Sequence, residues 1–219
     1  MTIKNSLNKP IFGLIGAGGF GRETISFINN LKKKYEIYFV DNMIKSEKIN
    51  DVKIISDDEF LNIKSNKKYF NISISNGKKR EELSNHFKKN GAKPLTIFSK
   101  NSAIHEYNII GDGCILCDYT VISPNAKIGN FVHVNRGAQI AHDTTIGNYV
   151  TFAPFASCNG NTIIEDYVYL GTGVIMRHGT PEKPLKIGKG SVIGMGAVVT
   201  KDVPPNVTVV GNPAKQLIK

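Results

Sequence analysis

The sequence predicts two units: a small α/β unit over residues 1–97 and an all-β parallel solenoid over residues 98–219. Two observations predict it. An apolar residue returns at every sixth position along the second half of the chain, and a glycine-rich turn stands between a strand and a helix in the first.

The repeat is read by counting forward from Ile104. The positions are Ile104, Ile110, Leu116, Ile122, Ile128, Val134, Ile140, Ile146, Phe152, Cys158, Ile164, Leu170 and Met176, all of them apolar. Four residues after those from Ile110 to Leu170 stand Cys114, Thr120, Ala126, Val132, Ala138, Thr144, Val150, Ala156, Thr162, Val168 and Val174, each small or β-branched. A helix repeats near 3.6 residues and a strand at 2, so neither generates a period of six. A triangular coil does. Each hexapeptide gives one short strand and a turn, and three of them complete a coil of 18 residues. The first repeat position packs into a narrow core and the residue four later must fit beside it. Gly or Asn follows the apolar residue at Gly111, Gly129, Gly147, Asn159 and Gly171, where the chain turns. From Met176 to Ile187 the step is eleven residues, so residues 177–186 contain a loop that leaves the coil, in keeping with Pro181 and Pro184. The pattern resumes at Ile187, Ile193 and Val199.

In the first unit, Ile11–Ile15 reads as a buried strand and runs into Gly16-Ala17-Gly18-Gly19-Phe20-Gly21. A helix follows from about Arg22 to Lys33, then a strand Tyr35–Val40 that ends at Asp41-Asn42. This is Gly-x-Gly-x-x-Gly between strand and helix with an acid twenty residues beyond the last glycine, a Rossmann-like arrangement. Its glycines let backbone amides approach a diphosphate at the helix N-terminus, where the dipole favours anions. The same turn can also require glycine for its geometry alone. A third strand, Tyr69–Ser75, leads through Asn76-Gly77 into a basic helix closed by Asn90-Gly91. The unit is too short for the two halves of a full dinucleotide fold, which argues against NAD and suits one nucleoside with its diphosphate.

The totals narrow the class. The net charge of +10 comes largely from lysine runs in the first hundred residues, which read as solvated faces able to attract phosphate-rich small molecules. No basic stripe is interleaved with aromatics, which argues against nucleic acid. No apolar run approaches the ~20 residues that span a bilayer, and no apolar segment follows Met1, so the expectation is a soluble cytoplasmic protein. Three cysteines are too few for a disulfide framework. Cys114 and Cys117 form Cys-x-x-Cys, but both are read as inward repeat positions, so packing is expected of them.

The repeat, with its aliphatic residue and a small residue at the fifth place, resembles the left-handed β-helix acyltransferases. The order of a small Rossmann-like unit and then a solenoid resembles the sialic acid O-acetyltransferase and nucleotide-4-amino-4,6-dideoxy-sugar N-acetyltransferase family of bacterial surface-polysaccharide pathways. Ala153-Pro154 and Cys158-Asn159-Gly160-Asn161 resemble its perosamine- and viosamine-type members, and Val210-Gly211-Asn212-Pro213-Ala214-Lys215 resembles the family's tail. The resemblance implies left-handed coils, acetyl-CoA as co-substrate, a homotrimer with active sites between subunits, and a nucleotide-linked amino sugar on the route to O-antigen lipopolysaccharide.

His142 sits two residues after the core position Ile140 and so lies outside the packed interior. Asp143 follows it, and a carboxylate there holds an imidazole in its basic role. The resemblance makes His142 the general base and Asp143 its partner. Adding 18 to 142 reaches Gly160, flanked by Asn159 and Asn161, whose amides either hold sugar hydroxyls or turn the chain. For acetyl-CoA the resemblance implies Thr151, Thr172, Gly194, Met195 and Gly196. For the nucleotide sugar it implies Gly18, Gly19, Phe20, Asp41 and Asn42. His86, His105 and His178 receive no role. The β-helix carbonic anhydrases use three zinc histidines with a close pair; His133 and His142 are nine apart, and no metal is assigned.

The expected reaction is acetyl transfer from acetyl-CoA to the 4-amino group of the sugar by direct amine attack. Two alternatives stay open: O-acetylation of sialic acid or a related hydroxyl, and a non-enzymatic nucleotide-binding scaffold. The base (GDP, dTDP or UDP) and the sugar stereochemistry also stay open.

Overall fold

The computed structural model describes residues 9–65 and 67–218. The chain divides into two compact units, Met1–Ile97 and Phe98–Lys219.

The first unit is a six-stranded sheet with helices. Its elements are β1 (Ile11–Ile15), α1 (Gly19–Phe27), β2 (Glu36–Val40), β3 (Lys48–Ile49), β4 (Val52–Ile55), α2 (Asp57–Asn62), β5 (Lys68–Ile72), α3 (Gly77–Lys89) and β6 (Lys93–Pro94). The strand order is β3-β4-β2-β1-β5-β6, parallel except for the β3–β4 pair. All five residues of β1 are buried, as a central parallel strand demands. The order reverses at β1, so the crevice outside the carboxyl ends of β1 and β5 is where such sheets take ligands.

The first helix begins at Gly19, three residues before the expected start, and ends at Phe27 before a 3₁₀ turn over Asn29–Lys33. Asn29-Asn30 are poor helix formers and sit where the α-helix stops. Gly21 lies inside the helix because nothing larger fits. A Cβ there would meet Gly16 O at 2.1 Å and Ser73 Oγ at 2.9 Å. The first of these is backbone and cannot swing aside, so Gly21→Ala should destabilise this unit by about 1–3 kcal/mol. A urea titration followed by circular dichroism checks this, and an unmoved midpoint contradicts it.

β3, β4, α2 and β6 were not foreseen. Asn50-Asp51, with φ of 48° and 59°, makes the two-residue turn between β3 and β4. α2 opens on a capping box: the Ser56 hydroxyl accepts from the Glu59 N–H, and the Glu59 carboxylate accepts from the Ser56 N–H at 2.7 Å.

The second unit is a left-handed parallel β-helix with three sheet faces. One carries Ile115–Leu116, His133–Val134, Thr151–Phe152, Tyr169–Leu170 and Val192–Ile193; the next Val121–Ile122, Gln139–Ile140, Ser157–Cys158, Ile175–Met176 and Val198–Val199; the third Lys127–Ile128, Thr145–Ile146, Thr162–Ile164 and Leu185–Ile187. Successive coils are in register at 18 residues, as in Ile122↔Ile140↔Cys158. Past the excursion the offset is 23, that is 18 plus 5, as in Leu170↔Ile193 and Met176↔Val199.

The sixfold positions from Leu116 to Met176 and their apolar small partners form one continuous core, with Thr120, Thr144 and Thr162 also buried; Ile104 and Ile110, on the first coil, are partly buried against it. Cys114 belongs to that core. Cys117 is buried but lies outside it, because it follows the core residue Leu116 by one and a strand alternates its faces. Both are free thiols.

The corners from Tyr107 to Gly173 each hold one residue at positive φ, several of them aromatic. Backbone strain there is offset by stacking: Phe131, Tyr149 and Tyr167, one coil apart, have ring centroids 5.6 Å apart and nearly parallel planes.

The excursion is Arg177–Pro184, since Leu185 already pairs with Thr162. It is held to the coils by Arg177 Nε donating to Thr200 O at 2.9 Å and by Gly179 N–H donating to Gly160 O at 2.9 Å. Among the described residues no helix is long and apolar enough to cross a membrane.

Candidate active site

The strand Gln139–Ile140 ends at a corner whose left-handed residue is Asp143, φ 56°. That turn brings the Asp143 carboxylate back onto the neighbouring ring: His142 Nδ1 lies 2.7 Å from Asp143 Oδ2, with both side chains about half exposed. An ionised carboxylate only accepts, so Nδ1 carries the proton and Nε2 presents its lone pair outward. The hydrogen bond from His142 holds the Asp143 carboxyl below the usual carboxylate range, with a lesser contribution from the Asn125 amide. Asp143 therefore stays ionised wherever an imidazole titrates.

One coil on, Gly160 lies directly beneath the imidazole. A Cβ at 160 would stand 2.7 Å from His142 Cε1 and 2.8 Å from Nε2, so glycine here is a condition for the ring's position. The carbonyl of Gly160 accepts from Gly179, while its N–H has no acceptor among the described residues. Asn161 N–H donates to His142 O at 3.2 Å, tying the two coils together.

The flanking amides separate. Asn159 Nδ2 donates to Met176 O at 2.8 Å, so this side chain braces the coil, while the backbone carbonyl of Asn159 accepts from the Thr162 hydroxyl at 2.7 Å. Asn161 sits at φ 53° at the corner, and its half-buried amide has no hydrogen-bond partner among the described residues. The Cys158 thiol, just before this turn, is wholly buried in the core, and burial pushes it up to about 12, which removes it as a nucleophile at neutral pH.

The structure adds a residue that sequence reasoning passed over. His178, on the excursion loop, has its ring centroid 5.8 Å from that of His142, with the planes tilted by 52°. No periodicity carries this information, because the loop lies outside the repeat.

Thr172, Gly194, Met195 and Gly196 fall together on adjacent coils, with Gly196 N–H donating to Thr172 O at 2.8 Å. Met195 is 81% exposed, and a Cβ added at Gly196 would touch nothing within 4 Å. Thr151 stands apart from this open strip: it is 3% exposed, between His133 and Tyr169 on its face.

In the first unit the three motif glycines have three different roles. Gly16 turns the chain at φ +95°, Gly21 is packed against backbone, and Gly18 is the N-cap of α1 with nothing within 4 Å of an added Cβ. Gly19 is equally open and Phe20 is half-buried. The Cβ positions of Gly18 and Gly19 thus open onto free space at a helix N-terminus, where the dipole favours an anion. Asp41 is an anchor for it: Oδ2 accepts from Ala17 N at 3.0 Å and Oδ1 from Met43 N at 2.9 Å. Asn42 Oδ1 accepts from Asp57 N at 3.0 Å. Beside them opens a cleft of about 510 Å³ lined by Asp41, Asn42, Ile44 to Glu47, Ile54 to Ser56 and Glu59. Ser56 and Glu59 were missed as site residues, although Ser-Asp-Asp-Glu spells a capping box in the sequence. Among the described residues no three His, Cys, Asp or Glu cluster in a way that could hold a metal ion.

A β-helix bearing an exposed imidazole–carboxylate pair above a glycine can hold a general base for acyl transfer. Comparison with known proteins places the chain among hexapeptide-repeat acyltransferases. Residues 12–87 match the PglD N-terminal domain and residues 125–160 the bacterial transferase hexapeptide (six repeats). The GDP-perosamine N-acetyltransferase of Escherichia coli O157:H7 is 44% identical over 212 residues, 94% of this chain and 96% of that protein. WeeI from Acinetobacter baumannii AYE superposes with a TM-score of 0.93 at 43% identity, covering 95% of this chain and 100% of that one. The acetyltransferase domain of PglB from Neisseria gonorrhoeae FA1090, in complex with acetyl coenzyme A, superposes with a TM-score of 0.86 at 27% identity, covering 96% and 100%. The chain belongs to the hexapeptide-repeat sugar N-acetyltransferases that carry a PglD-type N-terminal domain.

Proposed function

We propose that this chain is an acetyl-CoA-dependent N-acetyltransferase acting on the 4-amino group of a nucleotide-linked 4-amino-4,6-dideoxy sugar, with GDP-perosamine as the leading acceptor. The observation that carries the reading is the His142–Asp143 pair above Gly160 in a chain 44% identical to a GDP-perosamine N-acetyltransferase. The strip of Thr172, Gly194, Met195 and Gly196 fits the arm of acetyl-CoA, since Gly196 leaves open space and Thr172 and Met195 are exposed. Acetyl-CoA supplies the acetyl group as an activated thioester.

The chain's own residues do the rest. Asp143 fixes the tautomer of His142, so Nε2 takes the proton from the attacking amine. The unpaired N–H of Gly160 is the donor for negative charge that develops on the acyl oxygen. Asn161 offers its amide to the sugar. In the first unit Gly18, Gly19 and Phe20 receive the diphosphate, and the cleft at Asp41 and Asn42 receives the nucleoside. We further propose a homotrimer with a neighbouring copy completing each site, working in the cytoplasm on sugars destined for O-antigen lipopolysaccharide.

The test offers the purified chain acetyl-CoA with GDP-, dTDP- and UDP-linked 4-amino sugars and with sialic acid, and follows thiol release. The fastest release is expected with a GDP-linked amino sugar. Release with sialic acid alone moves the assignment to O-acetylation, and release with none removes it.

A further inference from the structure

We propose that His178 is a second acceptor-side residue, whose imidazole orients the sugar so that its amine meets His142. This rests on the function proposed above. The loop that carries His178 is a built feature. Arg177 Nε donates to Thr200 O at 2.9 Å and Arg177 Nη1 to His178 O at 2.7 Å. Gly179 N–H donates to Gly160 O at 2.9 Å and Leu185 N–H to Asn161 O at 3.1 Å, while Thr180 and Lys183 exchange backbone bonds at 3.1 Å. Gly179 is itself obligatory, since a Cβ there would lie 2.1 Å from Asn161 O and 2.7 Å from Leu185 N. These bonds run through backbone and Arg177. The His178 side chain takes no part in them.

Its ring is exposed, and its nitrogens have no hydrogen-bond partner among the described residues. Folding the loop therefore does not require an imidazole, yet the loop holds one with its centroid 5.8 Å from that of the base. Neighbouring substituents on a pyranose lie about one hydrogen-bond length apart, roughly 3 Å. An amine held at His142 Nε2 accordingly brings the adjacent ring hydroxyl within reach of His178. An imidazole suits that role because its two nitrogens offer one donor and one acceptor in the neutral form.

The experiment compares His178→Ala and His178→Gln with the unsubstituted chain in steady-state kinetics, varying each substrate across pH, with binding of GDP alone measured by calorimetry. In His178→Ala, kcat/KM for the amino sugar should fall about tenfold. KM for acetyl-CoA, the acidic limb of the pH profile and GDP binding should not change, and glutamine, which keeps a donor and an acceptor, should recover most of the loss. An alanine variant within twofold of the unsubstituted chain overturns the inference. So does a loss that glutamine fails to recover, or one shared with acetyl-CoA, either of which assigns His178 to packing of the loop. If the unsubstituted chain transfers acetyl to no amino sugar, the proposed function falls and takes this inference with it.

Discussion

His142→Ala should lower turnover by about 10²–10⁴-fold while leaving the coil intact, because a positioned general base contributes on that order. The side chain is half exposed and its hydrogen bond is to Asp143, a neighbour at the same corner, so removing the ring takes nothing from the core. Asp143, held below the usual carboxylate range by its bond from His142, stays charged as the partner of the ring. Steady-state assays of the variant check the loss, and near-normal turnover would remove His142 as the base.

Gly160→Ala should cost about 100-fold in kcat with a melting temperature within a few degrees of the original. The added Cβ would press on His142 Cε1 and Nε2 at 2.7 and 2.8 Å. Those atoms end a side chain free to rotate, so the coil yields easily and the base is what moves. A misplacement near 1 Å at a reacting group costs on the order of 100-fold. Gly21→Ala makes the useful contrast, since there the obstructing atom is Gly16 O, which belongs to the backbone, and stability is lost instead. Parallel measurement of melting and turnover in the two variants separates the cases. Full turnover in Gly160→Ala would show that the ring does not work from the position it occupies here.

Where the chain repeats, its structure was legible. A coil of 18 residues allows little freedom once the sixfold apolar positions are found, so the core from Leu116 to Met176 and the outward place of His142 follow from counting. The glycine-rich turn was legible for a related reason, since Gly16 sits at positive φ and Gly21 packs against backbone, while Gly18 caps the helix with open space beside it. What escaped was aperiodic. The start of α1 moved because glycines usually break helices, whereas here Gly21 enters one for want of space. Cys117 was assigned inward although it stands one residue past a core position. Asn159 offered two readings from sequence; its bond to Met176 O engages the amide within the coil, and Asn161 is the one left available. His178 could not be found by register at all, because eleven residues separate Met176 from Ile187 and only the folded path of the loop returns it to His142.

The central claim is that the acetyl group goes to nitrogen on a nucleotide-linked amino sugar. Incubating the chain with acetyl-CoA and GDP-perosamine, then examining the product by mass spectrometry and proton NMR, tests it most directly. The account predicts a gain of one acetyl group with an amide proton coupled to the sugar C4 proton. An acetyl ester on a ring hydroxyl, or unchanged GDP-perosamine beside an active O-acetylation of another sugar, would contradict it.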